Sequence, residues 1–361
     1  MPICKQQASS TITRSIASDM LQGSKQMKAM LLEKQSLIET APLKLVDLPL
    51  PEPKEHEVQI KVHVCGVCRT DLHVIEGDLK HPNLPLIPGH QVVGVVTQLG
   101  KGCKRFKIGD RIGVAWLRGT CGQCEFCKEH KENLCKQSIY TGYEANGGYA
   151  EYAVVPEDYA YLIPSSFSDE EAAPLLCAGI VGYRAYKRAC LPKGGKLGII
   201  GFGSSAHLIC QIAEAQGSQV YVSTRHPRHQ AFAKKMGAVW ASGDLQFPVL
   251  LDSIIVFAPA GELIPKALES LKPGGTLSIA GIHLSDIPAM NYEAHLFHEK
   301  DVRSVESNTR ADGEEFLKLA EAIPIKPVIT VFPLEKANEV LLQVKQDAFE
   351  GTAVLKVSNF L

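Results

Sequence analysis

The sequence predicts an α/β protein of two domains, one rich in short β-strands and one built on a doubly wound parallel sheet. Three observations carry this prediction. The chain has 361 residues, more than one hydrophobic core usually holds. Before about residue 160, apolar and polar residues alternate in short runs broken by Gly and Pro. After about residue 175, strand and helix patterns alternate, as in a parallel sheet covered by helices.

The first part reads as short strands. HEVQIKVHV alternates with period 2, and VVGVVTQLG has the character of a buried strand that ends in a turn. This pattern begins at Met27. Residues 1–26 lack the apolar core of a secretory signal, so we expect a disordered tail. A transit peptide, or a start upstream of the true one at Met27, stays open.

The second part alternates strands and helices. KLGIIGFG predicts a strand that meets glycines, and SSAHLICQIAEAQG a helix that ends at Gly217. Further along, LLDSIIVFA and TLSIAGI predict strands, with KPGG as a turn between the helix ELIPKALESL and the last of them. After about residue 310 the pattern is helix, strand, helix, strand. Because a β-rich first part cannot easily close alone, we expect this tail to return to it.

Composition excludes several classes of protein. The net charge is -1 and charged residues make up 21%, so no overall field favours nucleic acid or an anionic membrane. No apolar run reaches the roughly 18 residues that span a bilayer. Four of the eleven cysteines cluster between residues 121 and 135, which favours metal binding in a reducing compartment such as the cytoplasm.

That cluster, CGQCEFCKEHKENLC, predicts a structural metal site. Its thiolates, Cys121, Cys124, Cys127 and Cys135, can surround one tetrahedral Zn²⁺ on an exposed lobe. An iron–sulfur cluster also uses four cysteines and stays an alternative. A closed site of this kind predicts stability and no chemistry.

The segment GFGSSA predicts a dinucleotide-binding turn. It places Gly201 and Gly203 between a strand and a helix, with Ala206 in the third position. The glycines allow a tight turn and the close approach of a pyrophosphate to the helix N-terminus.

The next strand end distinguishes NAD from NADP. An acidic residue there would bind the ribose hydroxyl of NAD, but the chain has Ser223, Thr224 and Arg225. Hydroxyl groups and a guanidinium suit a 2′-phosphate. The sequence therefore favours NADP(H), unless Arg225 only begins a solvated helix face.

The segment CGVCRTDLH, residues 65–73, leaves three interpretations open. Its C-x-x-C pair suits a redox pair, half of a structural zinc site, or one metal ligand beside a bystander. A catalytic zinc needs three protein ligands and one open position. Candidates for it outside the four-cysteine lobe are Cys65, Cys68, His90 and Cys177.

In combination, the motifs GVCRTDLH, PGHQ, the four-cysteine lobe, AAPLLCAG and GFGSSA resemble, in this order, the zinc-dependent alcohol dehydrogenases of the medium-chain dehydrogenase/reductase superfamily. The resemblance runs from about residue 27 to the C-terminus. It implies a GroES-like catalytic domain at 27–178 with the zinc lobe at 118–136, a Rossmann cofactor domain at 179–310, and a return segment at 311–361. It assigns the catalytic zinc to Cys68, His90 and Cys177, which makes two zinc ions per chain.

The resemblance also implies roles for neighbouring residues. Asp71 would orient His90, as metal-bound imidazoles require. Thr70 would contact the substrate oxygen, and His73 would end the proton relay. Arg69 and, less closely, Arg310 resemble contacts to the cofactor pyrophosphate. Cys65 matches no ligand position and is interpreted as a strand residue or an auxiliary thiol.

One departure concerns the residue after the ligand histidine, where the family usually has Glu and this chain has Gln91. Gln keeps a carbonyl acceptor but loses the charge, which puts rates and pH behaviour carried over from the family in doubt. In the pocket, Trp116 resembles an aromatic wall of members that use small primary alcohols. Ile75 and Leu79 stand where some of those members have further tryptophans.

The implied function is reversible hydride transfer between a primary alcohol or aldehyde and NADP(H), with aldehyde reduction as the favoured direction. Alternatives are a cinnamyl-type aldehyde reductase or a polyol dehydrogenase of the same superfamily, possibly NAD-dependent. A non-enzymatic NADP(H)-binding protein is a further alternative, which the retained zinc ligands oppose. The resemblance implies a homodimer or homotetramer joined through the cofactor domains, with no nucleic-acid or membrane partner.

Overall fold

The computed structural model describes residues 25–323 and 325–357. The predicted disordered tail therefore lies almost wholly outside the described residues, and the first strand, β1, begins at Gln26. Two large sheets, each with its own topology, account for most of the strands. The predicted α/β class is confirmed.

The first sheet is mostly antiparallel and has the order β16-β17-β3-β4-β5-β9, with β8 paired to β3. Two further antiparallel pairs, β1-β2 and β6-β7, form separate two-stranded sheets. The strands are β1 Gln26–Leu32, β2 Leu43–Pro49, β3 Glu57–Val67, β4 Gln91–Leu99, β5 Arg111–Val114, β6 Leu117–Gly119, β7 Ile139–Tyr140, β8 Tyr152–Pro156, β9 Ala160–Leu162, β16 Ile329–Pro333 and β17 Thr352–Lys356.

The second sheet is parallel throughout, with the order β12-β11-β10-β13-β14-β15. The strand order reverses between β10 and β13, which is the crevice where doubly wound sheets bind their ligands. Its strands are β10 Lys196–Ile200, β11 Gln219–Ser223, β12 Trp240–Ser242, β13 Leu251–Val256, β14 Leu271–Ile279 and β15 Asp301–Ser304.

Ten α-helices lie among the described residues. They are α1 Arg69–Glu76, α2 Glu125–Lys128, α3 Asp169–Ala172, α4 Ala178–Arg188, α5 Ser204–Ala215, α6 Pro227–Lys235, α7 Leu263–Glu269, α8 Tyr292–His295, α9 Arg310–Ala322 and α10 Ala337–Lys345. Short 3₁₀ turns occupy Ile38–Thr40, Glu132–Leu134, Glu157–Tyr159, Ala173–Leu176 and Leu334–Lys336. No helix of the described part is long and apolar enough to cross a membrane.

The segment KPGG is not the turn that the sequence predicts. Strand β14 runs through it, and Leu271 already pairs with Leu251 before the register shifts and Thr276 pairs with Ser253. Gly274 has a φ of 73°, a left-handed conformation that glycine adopts without steric cost. The glycine therefore accommodates an irregularity inside the strand, and the chain does not need to leave the sheet.

The end of the chain returns to the first sheet. Strand β17 pairs antiparallel with β3, with Leu355 opposite Cys65 and Ala353 opposite Val67. Strand β16 then pairs parallel with β17 and forms an edge of the sheet. The last strands thus support β3 at the residues immediately before Cys68.

Helix α5 of the second sheet is tied to this return segment. The imidazole Nε2 of His207 accepts the backbone N–H of Val328 at 3.1 Å, and its Nδ1 lies 3.3 Å from the carbonyl oxygen of Gly203. On the same helix, the side chain of Gln211 bonds to both backbone groups of Lys326. His207 is fully buried, and burial lowers its pKa to about 4.

We predict that His207 makes stability depend on pH in a defined window. Between pH 6.5 and 4 the unfolded chain binds a proton at this histidine and the folded chain does not. The free energy of unfolding should therefore fall by up to about 3 kcal/mol as the pH drops through that window. Thermal or urea unfolding of His207→Gln, which keeps an acceptor for Val328, should lose this contribution.

The control is His298→Gln, because His298 is exposed. Loss of metal at low pH affects all three proteins and cancels when their pH profiles are subtracted. Equal pH profiles for the wild type and His207→Gln would show that His207 does not determine the acid limit.

Candidate active site

Three of the predicted zinc ligands meet at one point. One ligand atom from each of Cys68, His90 and Cys177 lies within 4.8 Å of the others. His90 Nε2 is 3.2 Å from Cys177 Sγ. The residues are 22 and 87 positions apart from His90 along the chain, so only the fold brings them together.

Both thiols lie at the starts of helices. Cys68 is the N-cap of α1, and its Sγ accepts the backbone N–H of Thr70 at 3.5 Å. Cys177 is the N-cap of α4. Helix N-termini stabilise thiolates because unpaired N–H groups and the helix dipole point at the sulfur. Both cysteines are therefore placed to act as anionic ligands.

His90 reaches the site from a turn that only glycine can form. Gly89 has a φ of 97°, and a Cβ there would lie 2.3 Å from the ring of Tyr149. Strand β4 begins at Gln91, directly after His90, and fixes the direction of the chain there. The glycine thus permits close packing of this turn against Tyr149.

Asp71 connects these parts. Its two carboxylate oxygens accept from His90 Nδ1 at 2.7 Å, from the backbone N–H of Cys68 at 2.8 Å and from the hydroxyl of Tyr149 at 3.2 Å. Asp71 is 1% exposed. A buried carboxylate needs such donors, and by accepting from Nδ1 it leaves Nε2 of His90 free for a metal.

The electrostatics of the three donors favour a bound cation. Hydrogen bonds from Cys177 and from His90 hold the pKa of Cys68 well below its usual range. Burial opposes charge on His90, but the charge and hydrogen bond of Asp71, together with Cys68, raise the pKa of His90 to about 10. The hydrogen bond with Cys68 and burial raise the pKa of Cys177 well above its usual range, so protons stay on His90 and Cys177 until a metal ion displaces them. Two thiolates with one imidazole suit Zn²⁺ with one position left open.

Gln91 lies beside this site without a partner for its carbonyl oxygen. The residue is 1% exposed, and Oε1 accepts no hydrogen bond from the described residues. Its side chain packs on Gly66, where an added Cβ would lie 3.1 Å away. An uncharged side chain thus stands where the family usually has a carboxylate.

The four-cysteine lobe forms a second, separate group. The four sulfurs lie within 4.8 Å of one another, with 3.5 Å between Cys121 and Cys135 and 3.5 Å between Cys124 and Cys127. Backbone N–H groups point at the sulfurs, including that of Cys124 at 3.3 Å from Cys121 Sγ. Hydrogen bonds from Gln123 and Cys124 lower the pKa of Cys121 to about 6. The donor set fits a closed tetrahedral zinc site.

Helix α1 carries the two residues of the predicted proton relay, which are three positions apart and therefore lie on one side of the helix. Thr70 is buried, and 3.6 Å separates its hydroxyl from Cys68 Sγ. His73 Nδ1 lies 2.7 Å from a carboxylate oxygen of Asp78, and the side chain of His73 is 13% exposed. Its Nε2 is buried and has no hydrogen-bond partner among the described residues.

An aromatic group packs against His90. The ring of Trp116 meets that of His90 edge-on at 5.0 Å between centroids. Trp116 in turn stacks on Tyr140 at 4.9 Å and on Tyr143 at 6.0 Å. These rings form an apolar wall next to the metal ligands.

The other two predicted pocket residues behave differently. Ile75 is completely buried in the core of the first domain. No part of its side chain is exposed, and the expected place of Ile75 in the pocket stays a prediction. Leu79 is half-buried, and its carbonyl oxygen accepts from the side chain of Gln35 at 2.9 Å.

The glycine turn lies between β10 and α5, as predicted. Gly201 has a φ of 84°, and its N–H donates to the carbonyl oxygen of Ser223 at 2.9 Å. Nothing lies within 4 Å of a Cβ built on Gly203, which caps α5. Ala206 is buried beneath the helix start. The open backbone at Gly203 fits the approach of a pyrophosphate.

The end of β11 presents the predicted phosphate-binding group. Ser223 and Thr224 are nearly buried, whereas Arg225 is exposed. Within 25–323 and 325–357, no ion pair or side-chain hydrogen bond engages the guanidinium of Arg225. A free cation at this position is what a ribose 2′-phosphate requires.

Two predicted cofactor contacts are held by the protein itself. Arg69 donates to the carbonyl oxygen of Val344 at 3.1 Å. Arg310 lies 3.3 Å from Glu132 and 5.1 Å over the ring of Tyr159, next to the four-cysteine lobe. Their pyrophosphate contacts stay predictions.

Three residues near the site gave no sequence signal. Tyr149 bonds to Asp71, Asp78 bonds to His73, and Tyr140 stacks on Trp116. Only Asp78 is close in sequence to its partner, so its pairing with His73 is the only one of the three that the sequence could have suggested. Tyr149 and Tyr140 are recognisable only from the fold.

Known proteins of one family resemble this chain. Residues 54–165 match the alcohol dehydrogenase GroES-like domain family. The chain is 48% identical over 337 residues to a probable alcohol dehydrogenase AdhA of Mycobacterium tuberculosis, covering 92% of this chain and 97% of that protein.

Two solved structures share the architecture over nearly the whole chain. A cinnamyl alcohol dehydrogenase of Sorghum bicolor superposes with a TM-score of 0.84 at 28% identity, covering 92% of this chain and 98% of that one. A Helicobacter pylori CAD complexed with NADP(H) superposes with a TM-score of 0.83 at 26% identity, covering 92% and 98%.

We predict that Asp71→Asn weakens zinc binding at the three-ligand site by about 10- to 100-fold, as loss of a partner that orients a ligand does. The substitution removes the charge that stabilises His90 in its binding orientation. Zinc transfer to a chromogenic chelator should show one faster phase and one unchanged phase from the four-cysteine lobe.

Tyr149→Phe is the matched variant, because it removes one hydrogen bond to Asp71 and keeps the carboxylate. It should release zinc at a rate between those of the wild type and Asp71→Asn. Identical release from all three proteins would contradict the role given to Asp71.

Proposed function

We propose a function from one premise: this chain belongs to the zinc-type medium-chain alcohol dehydrogenase family. It is an alcohol dehydrogenase. Our proposal is that it transfers hydride reversibly between a primary alcohol or aldehyde and NADP(H), with aldehyde reduction as the main direction. The observation that carries the proposal is the convergence of Cys68, His90 and Cys177 with the hydroxyl of Thr70 beside them.

The residues present divide the chemistry between them. When bound, a zinc ion would supply a Lewis acid for the substrate oxygen, and the nicotinamide would accept or donate hydride. Cys68, His90 and Cys177 would hold the metal. Asp71 keeps the His90 ring in one tautomer and one orientation, which preorganises the site before the substrate arrives.

Proton transfer would run along helix α1. The Thr70 hydroxyl can both accept and donate a proton, and it lies next to Cys68. His73, one turn further, keeps Nδ1 on Asp78, which leaves Nε2 as the nitrogen that takes up or releases a proton. The partly exposed side chain of His73 gives this path an exit to solvent.

Cofactor selection would depend on the end of β11. The chain has no acidic side chain there to bind a ribose hydroxyl pair. The buried hydroxyls of Ser223 and Thr224 and the unengaged guanidinium of Arg225 suit a 2′-phosphate instead. The Helicobacter pylori relative was solved with NADP(H), which supports the same choice.

One observation favours a second candidate, reduction of cinnamyl-type aldehydes. Trp116, which meets His90 edge-on, and Tyr140 and Tyr143, which stack on it, form an aromatic group beside His90. Planar conjugated substrates can stack on such a surface. The Sorghum bicolor neighbour is a cinnamyl alcohol dehydrogenase. A panel of aliphatic and cinnamyl-type aldehydes separates this candidate from the first.

We predict that Cys68→Ser loses most aldehyde reduction and one of two zinc ions per chain. Serine replaces a thiolate ligand with a hydroxyl that stays protonated near neutral pH. Cys65→Ser is the matched control, since Cys65 belongs to the same C-x-x-C pair but its sulfur contacts the carbonyl oxygen of Gly66 inside the core.

The control should keep both zinc ions and the activity. Activity of Cys68→Ser toward every aldehyde tested would refute the zinc mechanism. Equal losses in the two variants would instead indicate that the cysteines act as a pair.

We predict that Arg225→Ala raises the KM for NADPH by about tenfold or more, with little change for NADH, because a charged hydrogen bond contributes about 1.5–3 kcal/mol. Initial rates with both cofactors, against a range of aldehydes, provide the measurement. Arg228→Ala is the control, because backbone carbonyl oxygens of Asp347 and Ala348 already engage that guanidinium.

Arg228→Ala should leave the ratio of the two KM values near that of the wild type. Faster turnover of the wild type with NAD⁺ than with NADP⁺ on primary alcohols would overturn the cofactor assignment. It would leave the zinc assignment intact.

A further inference from the structure

We propose that His73 and His283, with Asp78 orienting the ring of His73, form a third cation site, which binds a divalent transition-metal ion between the two domains. One ring nitrogen of each histidine and one carboxylate oxygen of Asp78 lie within 4.8 Å of one another. Three such groups occur among the described residues, and the other two are the zinc sites above.

The three residues come from both domains. His73 lies in the last turn of α1, and Asp78 follows two residues after that helix ends. His283 lies beyond β14 of the parallel sheet, in a loop where its φ is 57°. The imidazole centroids of His73 and His283 are 4.8 Å apart. A bound ion would therefore connect the catalytic and cofactor domains.

The protonation pattern of His73 fits metal binding. Its Nδ1 lies 2.7 Å from Asp78, and its Nε2 is buried without a partner. His90 has the same arrangement, with Nδ1 2.7 Å from Asp71 and Nε2 facing Cys177. A carboxylate on one ring nitrogen fixes the tautomer that gives the other nitrogen its lone pair. An unpaired buried nitrogen is otherwise a cost to the fold.

The two imidazoles are close enough to reach one ion, with 4.8 Å between their centroids. Their planes meet at 48°, which is neither stacked nor edge-on. Two imidazoles suit Zn²⁺, Ni²⁺ and Cu²⁺, and Asp78, bonded to Nδ1 of His73, places one negative charge near the ion without binding it directly. Asp78 and His283 are exposed, so an ion can enter from solvent and water can fill the remaining positions.

The consequence for activity rests on the proposed function. A cation on Nε2 of His73 would occupy the nitrogen that takes up the proton, and it would restrain the two domains at the mouth of the cleft. Binding of the cation should therefore inhibit the enzyme reversibly, and the catalytic zinc should stay in place. No covalent or redox step is involved.

The test is calorimetric titration of Ni²⁺ into the zinc-loaded protein, with zinc content measured before and after. His283→Asn is the main variant, because asparagine tolerates a positive φ and removes the imidazole. His298→Asn is the matched control, since His298 is an exposed histidine of the same domain outside the cluster.

We expect one Ni²⁺ per chain with zinc content unchanged, an affinity about tenfold or more weaker in His283→Asn, and no change in His298→Asn. Asp78→Asn should weaken binding by a smaller factor. Equal affinity in the wild type and His283→Asn would overturn the site, as would loss of zinc in step with Ni²⁺ uptake.

An activity measurement separates this inference from the proposed function. Ni²⁺ should inhibit wild-type aldehyde reduction, and a chelator should restore it, whereas His283→Asn should need about tenfold more Ni²⁺ for the same fractional inhibition. Calorimetry still detects the site if every substrate fails. Binding without inhibition would place the ion correctly and disprove its effect on the proton path.

Discussion

The structure depends on one buried carboxylate. Asp71 accepts from the imidazole of His90 and from the backbone of Cys68, which are two of the predicted metal ligands, and from the hydroxyl of Tyr149. Burial raises the pKa of Tyr149 well above its usual range, so its phenol stays a donor. Because an ionised carboxylate cannot remain in a protein core without donors, α1, the His90 turn and Tyr149 must assemble together.

The site lies where the two domains join. Cys68 caps α1 immediately after β3, and Cys177 caps α4 before the parallel sheet begins. The return strand β17 supports β3 from the far end of the chain. The predicted metal ligands thus all belong to the first domain, and Cys177 lies at its boundary with the second, where a substrate can meet a cofactor held by the parallel sheet.

The two cysteine-containing sites have opposite designs. In the lobe, four thiols face one another and backbone N–H groups complete their surroundings, so no position stays open. At the other site there are three donors, and the neighbouring side chains are a hydroxyl, an uncharged amide and an aromatic ring. The first arrangement suits stability, and the second leaves space for a reacting atom.

Much of this was determined by the sequence alone. Local patterns predict the two domains, the four-cysteine lobe, the GFGSSA turn and the helix that starts at Cys68, because each depends on residues close in the chain. The tertiary structure decided the rest. Periodicity could not show that Ile75 is enclosed in the core, that Tyr149 bonds to Asp71, or that His283 lies beside His73. Those contacts join residues far apart in sequence, and only packing determines which distant side chains meet.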